Sequence, residues 1–299
     1  MSGPSGAPTQ GPSGAGALTL RLPGGRRLTF ERVRVMGVVN VTPDSFSDGG
    51  RFLAPERAIE HGVALAAAGA DVLDVGGEST RPGAAPVPAD EQIRRVVPVI
   101  RGLAERTDAL LSVDTTSARV AAAALDAGAS VVNDISAFRF DPEMLPLLAG
   151  CDAAAIAMHT LAEPAVMQRA PRYDDVVAEV RAHLAVRLEA AAAAGVEPAR
   201  LVLDPGIGFG KTLAHNLALV RRIDALASLG RPVLIGPSRK RFVGALTGKP
   251  VSARAWGTAG AVAAAVVYGA HMVRVHDVAE MVDVVRVAEA VVMAPGSAG

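Results

Sequence analysis

Apolar and polar positions follow two different rhythms along the chain. Residues 18–30 alternate apolar and polar side chains on both sides of a Pro-Gly-Gly turn, a pattern typical of a β-hairpin. From Val33 onward, Ala-rich stretches of helical character end at a glycine, and a short apolar run that closes on a polar residue follows each of them. This second rhythm predicts a helix, a buried parallel strand and a loop, repeated many times.

The repeat predicts eight strands and therefore a barrel. Strands are expected near residues 34–39, 71–75, 110–113, 130–133, 153–157, 200–203, 232–236 and 271–275. Strands that alternate with helices form parallel βαβ units, and about eight units in about 270 residues match a (β/α)8 barrel. We therefore expect an α/β fold, a TIM-type (β/α)8 barrel with an N-terminal β-hairpin. A doubly wound open sheet is the alternative, although it usually has fewer strands.

Composition separates the first residues from the rest. Residues 1–17 are rich in Gly, Ser and Pro and lack the basic and apolar segments of a signal peptide, so we expect a disordered tail there. Residues 18–299 are expected to form one catalytic domain that starts with the hairpin. The chain is 50% hydrophobic but only 3% aromatic, so Ala, Val, Leu and Ile must supply its core.

Charge and cysteine content exclude several kinds of partner. The chain has 30 basic and 30 acidic residues, and this balance argues against nucleic acid or a membrane surface as a partner. No apolar run approaches the roughly 20 residues that span a bilayer, so we expect a soluble protein. Cys151 is the single cysteine, which rules out an internal disulfide and fits the reducing cytoplasm.

A polar residue closes each predicted strand. In a barrel such side chains converge on the carboxyl-terminal rim, where these enzymes place their sites. The residues are Asn40, Asp74, Asp114, Asn133, His159, Asp204, Ser238 and Arg274. Any one of them could be an ordinary strand end, but all eight together favour a site. His159 and His276 are too far apart for a local metal motif, and each is better explained as a hydrogen-bonded rim residue.

The segment DPGIGFGKT, residues 204–212, comes close to two phosphate-binding motifs and matches neither. Pro205 stands where a Walker A loop requires glycine, and it has no N–H to offer a phosphate. The dinucleotide-binding pattern also fails, because Lys211 occupies the place of its third glycine. A glycine-rich loop that approaches a flat ligand closely is the remaining interpretation, with Asp204 as acceptor for the paired donors of an amino-heterocycle.

Three other loops suit an anionic or reactive ligand. The long loops after the first and second strands, residues 42–50 and 79–86, are of the length that is usually functional, and the second carries Arg81. The basic segment GPSRKRF, residues 236–242, follows the seventh strand, where barrels commonly bind phosphate. It is too short, in a neutral chain, to favour a nucleic-acid patch.

Taken together and in order, these segments resemble the dihydropteroate synthase family. The resemblance covers roughly residues 33–290 and rests on VMGVVNVTPDSFSDGG, DVLDVGGESTRPGA, SVDT, VVNDIS, MH, LVLDPGIGFGKT, GPSRKRF and VRVHDV. It implies a barrel that joins hydroxymethyl-dihydropterin diphosphate to 4-aminobenzoate and releases pyrophosphate. It also implies Mg²⁺ as cofactor, a cytoplasmic homodimer, and the family's status as a sulfonamide target.

The resemblance assigns three groups of site residues, position by position. The implied pterin pocket contains Asp114, Asn133, Asp204 and Lys240, with Met158 and Phe209 as apolar walls. The implied diphosphate end contains Asn40, Arg81, Arg274 and His276, with Asn40 beside the metal. The implied aminobenzoate side contains Phe46, Thr80, Pro82, Ser238 and Lys240. The catalytic candidates are Asp114, Lys240, Arg274 and His276.

The implied reaction is dissociative. Pyrophosphate leaves first, so cations are needed where its charge develops. Asp114 and the pterin ring would stabilise the resulting pterin methyl cation, which the neutral aromatic amine attacks. Closure of the loops 42–50 and 79–86 would exclude water from this cation.

Two other functions remain open. A methyltetrahydrofolate:corrinoid methyltransferase domain shares the barrel and the Asp and Asn contacts to a pterin, but it has no need of a diphosphate clamp. A non-catalytic paralogue of the synthase would be expected to lose some of the cationic residues, which are all present here. Three departures from the family pattern affect the expected pocket shape: Ala137 at a common glycine position, TLAEPAVMQ at residues 160–168, and Pro237 at a position that tends to vary.

Overall fold

The computed structural model describes residues 18–41, 53–79, 86–161 and 171–294. The first described elements are two short antiparallel strands, β1 (Thr19–Arg21) and β2 (Arg27–Thr29), with Leu20 opposite Leu28. A single 3₁₀ turn over Pro23–Gly25 connects them. The predicted N-terminal hairpin is therefore confirmed.

Eight parallel strands form a nearly closed barrel. They are β3 (Arg34–Asn40), β4 (Val72–Gly76), β5 (Leu110–Asp114), β6 (Val131–Asp134), β7 (Ala154–Met158), β8 (Leu201–Asp204), β9 (Leu234–Ile235) and β10 (Met272–Val275). The order in the sheet is β8-β7-β6-β5-β4-β3-β10-β9, and a parallel bridge from Leu203 to Val233 joins its two ends. The barrel prediction is confirmed, and the open doubly wound alternative is wrong.

Helices cover the outside of the barrel. They are α1 (Leu53–Ala67), α2 (Ala89–Ala104), α3 (Ala118–Asp126), α4 (Met144–Ala149), α5 (Val176–Ala193), α6 (Leu213–Arg221), α7 (Ile223–Ala227), α8 (Arg241–Thr247), α9 (Ala255–Val267) and α10 (Val278–Met293). Gly69, Gly128, Gly195 and Gly269 follow four of them with φ between 92° and 116°, which glycine adopts at little cost. Within the described ranges, no helix has the length and apolar character needed to cross a bilayer.

Strand residues alternate between the barrel interior and the surrounding helices. Toward the amino-terminal ends the inward residues are apolar, and they pack against Leu20, Leu22, Leu28 and Phe30 of the hairpin. The inward apolar residues include Met36, Val72, Val131, Ile156, Val202, Leu234 and Met272. The hairpin thus closes the amino-terminal end, and the polar inward residues are left at the carboxyl-terminal end.

Candidate functional site

A solvent-open cavity of about 430 Å³ lies at the carboxyl-terminal end of the barrel. Residues from six consecutive strands, β5 to β10, or from the loops that follow them line it. Nine predicted site residues are among these: Asp114, Asn133, Met158, Asp204, Phe209, Ser238, Lys240, Arg274 and His276. Ile135 and Gly236, which the sequence had not singled out, are the other described residues that line it. The structure therefore brings residues separated by 160 positions, such as Asp114 and Arg274, into one site.

Of the predicted site residues that the structure describes, Asn40 alone does not line this cavity. Asn40 ends β3, where it pairs with Gly76, and it is partly exposed. Four more predicted site residues lie outside the described residues, so their roles stay predictions: Phe46, Thr80, Arg81 and Pro82. Most of the divergent segment 160–168 also lies outside the described ranges.

Asp74 is the centre of a polar layer beneath the cavity. Its carboxylate accepts hydrogen bonds from Ser112 Oγ at 2.6 Å and from Asn133 Nδ2 at 2.9 Å. The Nε of Arg274 donates to the same carboxylate at 2.6 Å, and Nη2 of Arg274 donates to Asp114 at 2.8 Å. Asp74 is fully buried, so these donors replace water around its charge. One guanidinium group therefore joins two carboxylates from neighbouring strands.

Asp114 lies where this layer meets the cavity. Burial raises the pKa of Asp114 well above its ordinary range, Arg274 opposes this shift, and Asp74 adds to it. A carboxyl group whose pKa is raised by burial beside specific charges is a common feature of functional sites.

The glycine-rich segment after β8 forms the floor of the cavity. We define the floor segment as residues 204–210. At its start, Asp204 accepts the N–H of Gly206 at 2.7 Å, and burial raises the pKa of Asp204 while Lys240 opposes that shift. Gly206 has a φ of 69°, and a Cβ there would overlap the carbonyl oxygen of His159. Only glycine fits this close approach to the His159 backbone. The approach of the same loop to a flat ligand stays a prediction.

Lys240 reaches over the floor segment. Its ammonium group donates to the carbonyl oxygen of Ile207 and lies 4.7 Å from the centre of the Phe209 ring. Burial lowers the pKa of Lys240 to about 8, although Asp204 raises it. The cavity thus has a cation beside a buried carboxylate and an aromatic wall.

The loops after β9 and β10 are joined at the other side of the cavity. Ser238 Oγ lies 2.9 Å from His276 Nδ1 and accepts the backbone N–H of His276 at 3.2 Å. Arg239 pairs with Asp277, with Nε 3.1 Å from Oδ2, and it has a φ of 57°. A left-handed conformation costs a non-glycine residue about 1–2 kcal/mol. This ion pair therefore holds a strained turn that carries Ser238 and Lys240.

The rim suits an anion better than a metal bound by protein groups alone. Arg274, Lys240 and His276 supply cationic or hydrogen-bonding groups along one side of the cavity. Among the described residues, no cluster of three or more His, Cys, Asp or Glu side chains could hold a metal ion. Mg²⁺ often takes only one or two protein ligands and completes its shell with substrate phosphates and water. Asn40, with a carboxamide oxygen at the end of β3, fits that mode of binding.

The strand-end pattern was wrong for His159 and incomplete elsewhere. His159 is buried behind the floor segment, where its Nδ1 lies 3.1 Å from Lys211 Nζ, and it does not line the cavity. Asp74 belongs to the strand-end pattern, but the resemblance assigns it no role. Lys211 appears in the sequence only as the residue that breaks a dinucleotide motif, and no local signal links it to the cavity.

Comparisons with known proteins agree with this geometry. The model of the family described as pterin binding enzyme matches residues 36–276, which include every residue that lines the cavity. The dihydropteroate synthase of Mycobacterium leprae is 48% identical over 267 residues, or 87% of this chain and 94% of that protein.

Two solved structures of the Xanthomonas albilineans dihydropteroate synthase are also similar. The structure with 4-aminobenzoic acid has a TM-score of 0.87 and 48% identity, and the match covers 93% of this chain and 100% of that one. The structure in complex with 7,8-dihydropteroate has a TM-score of 0.82 and 47% identity over 91% of this chain and 98% of that one. The similarity therefore extends over nearly the whole length of both proteins.

Proposed function

The chain belongs to the dihydropteroate synthase family of pterin-binding enzymes, and from this premise we propose how its residues carry out the reaction. The enzyme joins hydroxymethyl-dihydropterin diphosphate to 4-aminobenzoate, which forms dihydropteroate and releases pyrophosphate. One observation carries the assignment of the site. Buried acceptors, Asp204 and Asn133, line the same cavity as two cations, Lys240 and Arg274.

The acceptors suit the donor-rich edge of a pterin. The ring offers several N–H groups side by side, and Asp204 and Asn133 supply carboxylate and carboxamide oxygens at 5% exposure each. A buried donor left without a partner would cost about 1–3 kcal/mol, so these oxygens select a ligand with matching N–H groups. Met158 and Phe209 supply apolar contact for the flat faces of the ring.

The cations suit the departing diphosphate. Arg274 is held by two carboxylates on one side and lines the cavity on the other, so it needs little reorganisation to meet the developing charge. His276 and Ser238, already hydrogen-bonded to each other, lie along the same loops. Bound Mg²⁺ would neutralise further charge on the diphosphate, with Asn40 as its protein ligand.

Asp114 is, in this proposal, the residue that stabilises the positive charge left on the pterin methyl group when pyrophosphate departs. It lines the cavity and shares Arg274 with Asp74. The C–O bond to the diphosphate breaks first, and its electron pair leaves with pyrophosphate. The amine nitrogen then forms the new C–N bond, and one of its protons passes to the released pyrophosphate or to water. The attacking amine is already neutral, so the step requires no strong base.

We propose that the aminobenzoate binds at the outer end of the cavity. Ser238 and Lys240 supply the described part of its site, with Lys240 between the two substrates. The predicted contribution of Phe46, Thr80 and Pro82 completes that side.

A homodimer is the proposed assembly. Helices α9 and α10 pack against each other, and they carry exposed apolar side chains such as Trp256 at 89%, Val291 at 68% and Met293 at 71% exposure. Exposed apolar groups on neighbouring helices are typical of an interface. Sedimentation would show a dimer that Val291→Glu dissociates. A cytoplasmic location is proposed with it, consistent with the single cysteine.

Pyrophosphate release tests the proposed function. The purified protein receives hydroxymethyl-dihydropterin diphosphate and Mg²⁺, with and without 4-aminobenzoate. Release that depends on the amine, with dihydropteroate as the product, is expected. Tight pterin binding without amine-dependent release would contradict the proposal and identify a non-catalytic pterin-binding protein.

A further inference from the structure

Lysine is rare in this chain, and two of its three lysines contact the floor segment. Of the 30 Lys and Arg residues, only Lys211, Lys240 and Lys249 are lysines. Lys240 reaches the floor segment from the cavity side, whereas Lys211 contacts it from behind. Arginine supplies nearly all other positive charge. Lysine at these two places indicates a need for a compact ammonium group with a single centre of charge.

The Lys211 ammonium group is buried behind the floor segment. Lys211 is 5% exposed, and Nζ donates to the carbonyl oxygen of Phe209 at 2.9 Å and to Nδ1 of His159 at 3.1 Å. His159 is the acceptor in this pair, because burial lowers its pKa and the Lys211 charge lowers it further. Phe209 is the residue whose ring lies beneath Lys240. Lys211 therefore fixes, from behind, the peptide that presents this ring to the cavity.

Other residues hold the same segment through neutral groups. Asn216 Oδ1 accepts the N–H of Gly208 at 2.6 Å, and the Tyr173 hydroxyl donates to the carbonyl oxygen of Gly210 at 3.1 Å. Lys211 contacts the back of the floor segment through a charged ammonium group, unlike the neutral groups of the other described residues there. Its loss would remove a charge as well as a hydrogen bond.

The charge of Lys211 acts on Asp204. Burial raises the pKa of Asp204, and the cations that oppose this shift are Lys240, Lys211 and Arg274. Burial in turn lowers the pKa of Lys211 to about 7, which Asp204 opposes and Lys240 reinforces. The other charged or titratable groups that the described residues place near this back side are His159, His183, Arg139, Tyr173 and His215. The ionised forms of Asp204 and Lys211 therefore stabilise each other.

We propose that Lys211 is a positioning residue for the pterin, which fixes the Phe209 backbone from behind and keeps Asp204 ionised without touching the ligand. This inference rests on the proposed function, because it takes the pterin as the ligand above the floor segment. It adds a residue that lies outside the cavity to those on which pterin binding depends.

Calorimetric titration with 7,8-dihydropteroate, from about pH 5 to about pH 8, tests the proposal on Lys211→Met, Lys211→Gln and the exposed control Lys249→Met. Lys211→Met is expected to raise the Kd about tenfold at about pH 6, below the lowered pKa of Lys211, where the wild-type ammonium group is charged and the variant lacks a hydrogen bond from a charged group. When the pH is lowered, the affinity of this variant should also begin to fall at a higher pH than that of the wild type. The reason is that Asp204, without the nearby cation, is protonated at a higher pH.

The Gln variant separates the two roles of Lys211. It can still donate to the Phe209 carbonyl oxygen, so we expect part of the affinity to return. The fall in affinity at low pH should still begin at a higher pH than in the wild type. Lys249→Met should match the wild type in both respects. The proposal would be overturned if Lys211→Met or Lys211→Gln lost affinity at the same pH as the wild type when the pH is lowered. A purely structural role of Lys211 would leave that pH unchanged.

A measurement on the unaltered protein covers the case in which the variants fail to fold. With ¹³C-labelled lysine the chain gives three side-chain signals, one for each lysine. Addition of 7,8-dihydropteroate should move the Lys211 signal and leave that of Lys249 in place, and an unmoved Lys211 signal would overturn the proposal. Wild-type turnover is measured in parallel. Its absence would refute the proposed function, whereas turnover with an unmoved signal would refute only the role of Lys211.

Discussion

Arg274 and Asp74 form an ion pair inside the barrel, with Nε of Arg274 2.6 Å from Oδ2 of Asp74. The carboxylate is fully buried, whereas the Arg274 side chain is 21% exposed and lines the cavity. The pair thus connects a buried charge on β4 to the cation on β10 that we propose meets the departing diphosphate. In the proposed site, Asp74 orients this cation and does not itself line the cavity.

Asp74→Asn should destabilise the fold. The substitution removes the charge that balances Arg274 in a dry layer, and breaking a buried pair costs about 3 kcal/mol. Urea unfolding followed by circular dichroism measures this loss. Ser112→Ala, which removes a neutral donor to the same carboxylate, is the control, with an expected loss of about 1 kcal/mol. Equal stability of Asp74→Asn and the wild type would show that the pair contributes nothing.

Arg274→Lys should weaken binding of the diphosphate end of the substrate more than binding of the pterin end. Lysine keeps the charge but cannot hold two carboxylates and a phosphate in a fixed fork, so we expect the KM for the diphosphate substrate to rise about tenfold or more. The Kd for dihydropteroate, which has no diphosphate, should change less than about threefold by the same reasoning. Arg286→Lys, in an exposed pair with Asp283, is the control and should change neither. Equal losses for both ligands would contradict the assignment of Arg274 to the diphosphate end.

Gly244→Ala should lower activity although Gly244 does not line the cavity. A Cβ at Gly244 would overlap the guanidinium group of Arg254, which donates to the carbonyl oxygens of Arg239 at 3.0 Å and Lys240 at 3.4 Å. Displacement of Arg254 therefore disturbs the turn that carries Lys240, and we expect kcat/KM to fall about tenfold. Gly260→Ala, whose Cβ would meet no atom within 4 Å, should leave kcat/KM unchanged. Full activity of Gly244→Ala would show that Arg254 does not position this turn.

The pH dependence of stability should differ between the wild type and Lys211→Met. The pKa of Lys211 is lowered to about 7 in the folded protein. Between that value and the ordinary pKa of about 10.4, the unfolded chain binds more protons at this residue than the folded chain does. The free energy of unfolding of the wild type should therefore rise with pH in this window, by up to about 1.4 kcal/mol per pH unit from Lys211.

The Met variant lacks this contribution, whereas that of Lys240 is common to both proteins. Urea unfolding at about pH 7.5 and about pH 9.5, both inside the titration window, measures the two slopes. Identical slopes would mean that Lys211 titrates at its ordinary pKa.

The sequence predicted the barrel because each repeat carries its own local signal. Glycines such as Gly69 and Gly128 end helices in the left-handed conformation, and a buried run follows each of them. These signals are local in the chain and need no knowledge of the fold. The candidate rim was predicted in outline for the same reason, since a polar residue near the end of a parallel strand reaches one edge of the sheet.

Alternation along the strands explains the errors. Ile156 and Met158 face the barrel interior on β7, so the next residue, His159, points away from the cavity and lies behind the floor segment. Asp74 lies inside β4 rather than after it, which places it one layer deeper than Asp114. Predicting the direction of the His159 side chain or the depth of Asp74 would have required the exact start, end and pairing register of each strand.

The long-range contacts had no signal in the sequence. Arg274 and Asp74 are 200 positions apart, and Lys211 and His159 are 52 apart. Neither pair belongs to a motif with fixed spacing. Only the closed barrel places such residues beside each other.

The affinity of Asp204→Asn for 7,8-dihydropteroate shows whether the rim cavity is where the pterin binds. Asparagine presents an N–H group where the pterin edge requires an acceptor, so we expect the affinity to fall about a hundredfold or more with the fold intact. Circular dichroism of the variant checks the fold. Wild-type affinity in a folded Asp204→Asn protein would mean that the pterin binds without the carboxylate at the base of the floor segment, and the proposed pterin site would then be wrong.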